Sequence, residues 1–186
     1  MLDINDTSER PLKNVAMKAR WLVAVPLSMA ASACMAAAPL EADATASLDP
    51  IAFFTGTSEG DATLKVIASG SKPVRVRSAG RPDGQGGLIL VQQIREGDKP
   101  ERVRTWTMRP VGAGRYTGAL IPDAVGPVEV TTSGPRAQIK YRMKNGLDVA
   151  QELALQADGV TLLNRLSVTK WGMGVARLDE VIRKTR

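Results

Sequence analysis

Proton transfer and nucleophilic chemistry in this chain fall to Asp, Glu, Lys, Tyr and one Cys, because its 186 residues include no histidine and a single cysteine, Cys34. Ser–His–Asp triads, Cys–His dyads, histidine metal sites and cysteine-rich zinc sites are excluded. The candidate carboxylates are Asp61, Glu101, Asp123, Glu129, Asp148, Glu152 and Asp179. They fall near turn signals or on faces read as outward, so no pair is expected to converge in a cleft as acid–base catalysis requires. Gly112-Ala113-Gly114 lacks the Gly-Lys-Ser/Thr and the helix of a phosphate loop, and reads as a hairpin turn. On this reading the protein is not an enzyme and holds no cofactor or metal.

Cys34 offers a different chemistry. Residues 1–16 are polar and of mixed charge, and read as a non-native extension ahead of a true start at Met17. Met17-Lys18-Ala19-Arg20 is basic and residues 21–33 are apolar and rich in small side chains, the pattern of a secretory signal. The run is short for the ~20 residues a membrane span needs, and Pro26 interrupts it. It ends in Ala31-Ser32-Ala33-Cys34, which resembles a bacterial lipobox with Ala31 in place of the usual Leu. Lipidation explains a lone Cys in an exported chain, which has no internal disulfide partner, and anchors the protein to a membrane. Residues 35–49 are Ala-rich and read as a tether. The expected location is the bacterial envelope: the periplasm, membrane-anchored through Cys34, or secreted there without the lipid.

The charge balance excludes one class of partner. Lys and Arg number 25 against 19 acidic residues, a net charge of +6, and the basic residues are scattered among only 4% aromatics. Nucleic-acid binding calls for a concentrated basic patch with stacking rings, so no nucleic-acid partner is expected.

The elements that must position these groups are strands. From residue 61 onward, β-like runs cover 63–68, 74–78, 88–95, 102–109, 115–121, 128–132, 137–143, 147–156, 161–171 and 175–184. Gly, Asn, Asp and Pro punctuate them, as in a sandwich or barrel. Only the last run reads equally as a short helix, because Ala176, Leu178, Glu180 and Ile182 alternate poorly. A three-residue loop, Lys144-Asn145-Gly146, opposes Tyr141 to Val149 on the inner face and Arg142 to Asp148 outside. A two-residue Asp158-Gly159 loop opposes Leu155 to Leu162, Leu153 to Asn164 and Val149 to Val168. Outside, it sets Glu152 against Arg165, an expected ion pair.

Strands paired in sequence order leave open edges unless the sheet closes. The expected fold is all-β, an antiparallel up-and-down meander closing into a lipocalin-like barrel of about 8–10 strands over residues 50–186. An outer-membrane pore needs aromatic girdles, which the few rings present do not supply. The register sends two amides, Gln151 and Asn164, to the same face as Tyr141, Leu153, Leu155 and Leu166. A buried amide without a hydrogen-bond partner costs about 1–3 kcal/mol. Gln151 and Asn164 therefore bond each other, the backbone or a buried water, or they orient the polar end of a bound amphiphile. Trp106, Tyr116, Tyr141 and Trp171 read as core or barrel-end plugs, Trp106 and Tyr141 also as ligand walls. Arg104 and Arg165 read as surface ion pairs or as receivers of an anionic headgroup.

Phe53-Phe54-Thr55-Gly56 and Gly60, then Arg104-x-Trp106, Tyr116-x-Gly118, and Asn164-Arg165 leading to Lys170-x-Gly172, occur in that order. In these residues the chain resembles, over about 50–185, an uncharacterised bacterial family of envelope proteins, often lipoproteins, known only as a domain of unknown function. It departs near residues 147–158, where members are more acidic and aromatic. The resemblance implies a lipocalin-like barrel and an envelope location, with no activity attached. The expected function is binding or carrying a small lipophilic ligand; the alternative is a structural or assembly factor acting through protein contacts.

Overall fold

The computed structural model describes residues 39–42, 45, 47–67 and 69–185. The expected start at Met17, the signal segment 17–34 and Cys34 lie outside them.

Period-two alternation organises the chain. In the strand Leu88–Glu96, Leu88, Leu90, Gln92 and Ile94 are buried while Val91 and Gln93 face out. In Arg136–Met143, Ala137, Ile139 and Tyr141 point in between exposed Gln138, Lys140 and Arg142. Ten such strands occur among the described residues: β1 (Gly56–Val66), β2 (Gly70–Pro82), β3 (Leu88–Glu96), β4 (Arg102–Gly112) and β5 (Arg115–Ile121), then β6 (Ala124–Ser133), β7 (Arg136–Met143), β8 (Asp148–Leu155), β9 (Thr161–Lys170) and β10 (Met173–Lys184). Each pairs with its sequence neighbours, and β10 returns to pair antiparallel with β1, closing the barrel. The ambiguous final run is thus a strand. Its weak alternation is overridden because, as β10, it satisfies the backbone edges of both β9 and β1.

The registers at β7–β8 and β8–β9 are those expected. Tyr141 opposes Val149 and Arg142 opposes Asp148, with Gly146 at φ 78° and the Met143 N–H donating to the Leu147 carbonyl at 2.8 Å. Leu155 opposes Leu162, and Leu153 opposes Asn164. Arg142 reaches Asp148 at 3.7 Å. The second expected ion pair is replaced. Glu152 does oppose Arg165, but its Oε1 accepts from Arg136 at 2.8 Å, while Arg165 reaches Asp179, opposite it on β10, at 3.2 Å. A strand has two neighbours, and a hairpin reading considers only one of them.

One end of the barrel is plugged. The helix α1 (Pro50–Phe54) is too short to persist alone. Asp49 caps it, its Oδ1 accepting from the Ile51 and Ala52 N–H groups at 2.9 and 3.2 Å. At the other end, the Lys184 ammonium donates to the carbonyls of Ala52, Phe53 and Thr55 at 3.1, 2.8 and 2.6 Å, where the helix dipole favours a cation. Phe53 and Phe54 are buried edge to face, 5.0 Å apart. Leu48, from the segment read as a tether, joins the same core, and its N–H donates to the Gly134 carbonyl. Gly80 on β2 lies directly beneath the plug, where a Cβ would overlap the Phe54 carbonyl. Gly80→Ala is expected to lift α1 and cost about 1–3 kcal/mol, read as a lower urea midpoint.

Candidate functional site

The inward positions of β2, β3 and β4 include a row of polar residues in register, Ser78 opposite Gln92 and Gln92 opposite Arg104. Gln92 is the hub. Its Nε2 donates to Ser78 Oγ at 3.1 Å, and its Oε1 accepts from Arg104 Nε at 2.8 Å and from Trp106 Nε1 at 2.7 Å. The Arg104 guanidinium lies over the Trp106 ring, 5.4 Å from its centroid, and Trp106 meets Tyr141 edge to face at 5.6 Å. Across the interior, Tyr141 Oη accepts from Gln151 Nε2 at 3.3 Å, and Asn164 Nδ2 donates to Glu180 Oε2 at 2.7 Å. Gln151 and Asn164 each bond a different neighbour instead of each other.

This polar layer divides the interior. Toward α1 the barrel is packed by Leu88, Leu120, Leu153 and Leu162, all within 1% of complete burial, and only about 40 Å³ of space remains beside Trp106 and Gln151. Toward the opposite end lies a cavity of about 340 Å³ with walls that include Leu64, Val74, Val76, Ile94, Leu166 and Leu178. Arg104, Tyr141, Asn164 and Glu180 line its deep end, and the Arg102–Asp123 ion pair, at 2.9 Å, lines its mouth. A larger depression, about 660 Å³, lies on the outer wall over β1–β3 and is lined by exposed groups such as Glu59, Arg77 and Gln93.

Charges at the deep end are unusually placed. Arg104 forms no ion pair among the described residues, and its side-chain hydrogen bonding is limited to the single donation from Nε, leaving both terminal nitrogens without an acceptor. Burial pulls its pKa below the ordinary guanidinium value. Burial raises Glu180 above the usual carboxylate range, opposed by the Asn164 hydrogen bond and the Arg104 charge and assisted by Asp61. Burial likewise raises Tyr141, keeping the phenol neutral at physiological pH. Asn164 Oδ1 is buried with no hydrogen-bond partner. Gly60 makes room for Glu180, since a Cβ there would overlap its carboxylate. Gly60→Ala is expected to displace Glu180 from Asn164 and cost about 1–3 kcal/mol in urea unfolding, with much of it recovered in Gly60→Ala/Glu180→Ala.

A family model described as "Protein of unknown function (DUF3833)" matches residues 28–184. The chain belongs to this family. No curated protein matches this DUF3833 chain. Among solved structures it is similar to an S-type phycobiliprotein lyase from Guillardia theta, with 7% identity and a TM-score of 0.57 over 73% of this chain and 90% of that one. It is also similar to Rv2717c from M. tuberculosis, with 16% identity and a TM-score of 0.54 over 75% of this chain and 99% of that one. At these identities the likeness is one of fold. It nevertheless corrects the expectation that the protein is not an enzyme. A protein named as a lyase has a barrel similar to this one, so the fold does not exclude catalysis.

Of the residues singled out from sequence, the DUF3833 barrel brings Arg104, Trp106, Tyr141, Gln151 and Asn164 together inside. Arg165 lies on the outer wall with Asp179. Arg104 is not the surface ion pair expected by default, because its β4 position shares the inward face with Trp106 and Met108. Trp171 is neither core nor plug. It sits in the β9–β10 turn at φ 51°, 81% exposed, with the Lys170 ammonium 4.7 Å from its ring centroid. Sequence reasoning missed Gln92 and Glu180. Both carried a signal: Leu88, Leu90, Gln92 and Ile94 alternate cleanly, and Glu180 falls between Leu178 and Ile182 once that run is a strand.

Proposed function

We propose that this DUF3833 protein is an exported, lipid-anchored envelope protein whose barrel encloses a small lipophilic ligand. The observation that carries the reading is the 340 Å³ cavity, apolar in its walls and closed at its deep end by the polar layer around Arg104, Tyr141, Asn164 and Glu180. Ligand pockets typically pair apolar walls with a few placed polar groups in volumes of about 300–1,000 Å³. The phycobiliprotein lyase adds support as a case in which the same architecture handles a substrate. An assembly factor with a fully packed barrel would have no use for such a cavity.

The anchor rests on Ala31-Ser32-Ala33-Cys34. Support for a membrane neighbour comes from the mouth end, where Ile67, Trp171 and Met173 are 70%, 81% and 62% exposed beside Lys170. Indole and ammonium groups suit a bilayer interface.

Native mass spectrometry of the full chain, made in a bacterial host and purified gently, tests the enclosure. A discrete adduct of lipid-like mass, lost on denaturation, is expected. A clean protein mass with no uptake from a native lipid extract would overturn it. Labelled palmitate is expected to incorporate into the wild-type chain and not into Cys34→Ser; equal labelling would remove the anchor.

A further inference from the structure

A buried cation is normally paired, because removing a charge from water costs several kcal/mol after relaxation. Arg104, half-buried at the deep end of the cavity, departs from that rule. Its Nε is committed to Gln92 and its plane is held over Trp106, yet its terminal nitrogens, at the deep end of the cavity, meet no acceptor and it forms no ion pair among the described residues. Arg102, two residues away on the same face, is already neutralised by Asp123 at the mouth. The cation without an ion-pair contact therefore lies at the far end of the apolar walls from solvent, with only the longer-range fields of Glu180 and Asp123 acting on it.

Resting on the enclosure reading, we infer that the cavity selects a single-chain amphiphile with a carboxylate head, inserted head first so that the carboxylate pairs with Arg104. The guanidinium presents its outer edge as a rigid fork, which matches a carboxylate in two parallel hydrogen bonds. Trp106 and Gln92 fix that fork in advance, so little side-chain freedom is lost on binding.

The other groups at this depth are compatible with an anion. Tyr141 is a neutral phenol. Glu180 is tied to Asn164, and burial favours its protonated form, in which it donates a hydrogen bond to an incoming acid instead of repelling it. The remaining charges acting on Arg104 and Glu180 are those of Arg102, Asp123 and Asp61. A chain lying along Val74, Val76, Ile94, Leu166 and Leu178 fills the rest. The volume lies at the small end of ligand pockets, which favours one chain over the two of a membrane phospholipid.

The test compares dodecanoic acid with dodecanol, which has the same chain and an uncharged head, by calorimetric titration of the delipidated full chain. The acid is expected to bind tenfold or more tightly, the scale set by a charge-assisted hydrogen bond out of water. Arg104→Met is expected to abolish that preference while leaving dodecanol affinity within a few-fold, and Arg102→Met is expected to preserve it. Should Arg104→Met fail to fold, Arg104→Lys keeps the charge without the fork and is expected to retain only part of the preference. Equal affinity of the wild-type chain for acid and alcohol would overturn the head-first assignment and leave enclosure standing. Loss of the preference in Arg102→Met would place the head at the mouth and overturn it equally. Binding of neither compound would remove the enclosure reading with it.

Discussion

Trp106→Ala is expected to destabilise the barrel by about 3–5 kcal/mol, the usual cost of truncating a buried large aromatic side chain. The ring is 6% exposed and holds three partners at once: the Tyr141 ring, the Arg104 guanidinium and Gln92 Oε1. Its removal joins the packed side of the interior to the open cavity, so collapse around the gap is hindered by the polar groups on its border. Trp106→Phe separates these contributions. The aromatic contacts largely survive, while Gln92 Oε1 loses one of two donors and keeps Arg104 Nε. The expected cost of that variant is nearer the ~0.5–1.5 kcal/mol of a single hydrogen bond, plus unfilled ring volume. Urea unfolding of both variants checks the order. A cost for Trp106→Ala below about 1 kcal/mol would mean that the layer is not a structural unit.

Glu180→Gln is expected to stabilise the protein near neutral pH and to lose that advantage on acidification. Glu180 has a folded-state pKa raised by burial, so between the unfolded carboxylate value and the folded one the native state binds more protons than the unfolded state. Stability from this group therefore falls as pH rises through that window, and above it the half-buried, partly desolvated carboxylate is a standing penalty. Glutamine keeps an acceptor for Asn164 Nδ2 and cannot ionise. The difference in melting temperature between Glu180→Gln and wild type should be positive at pH 7–8, shrink as pH falls from the raised folded value toward the ordinary carboxylate value, and level off below it. Asp83, Asp158 and Asp179 shift the other way, their pKa values lowered by hydrogen bonds and, for Asp83 and Asp179, by bonded Arg side chains. They make the wild-type profile fall in acid, which is why the comparison uses the difference between two chains that share them. A constant difference across this range would show that folding leaves the Glu180 pKa unshifted.

Both predictions concern residues whose partners lie on other strands, and that separates what was legible in the chain from what was not. Inward and outward faces, the ten strands and the registers of β7–β8 and β8–β9 follow from local rules: a period of two, and loop lengths that tolerate no one-residue slip. Gln151 and Asn164 belong inside on that ground alone, and the absence of histidine narrows the available chemistry whatever the fold. Tertiary structure decided the rest. Closure of β10 against β1 turned an ambiguous run into a strand and brought Glu180 under Asn164. The second neighbour of β9 gave Arg165 to Asp179, α1 chose which end would be sealed, and the barrel's interior left Arg104 as a cation without an ion-pair contact among the described residues. Alternation tells each side chain which way to point, but an electrostatic partner is set by how the strands stagger around a closed barrel, and that stagger is a property of the whole ring.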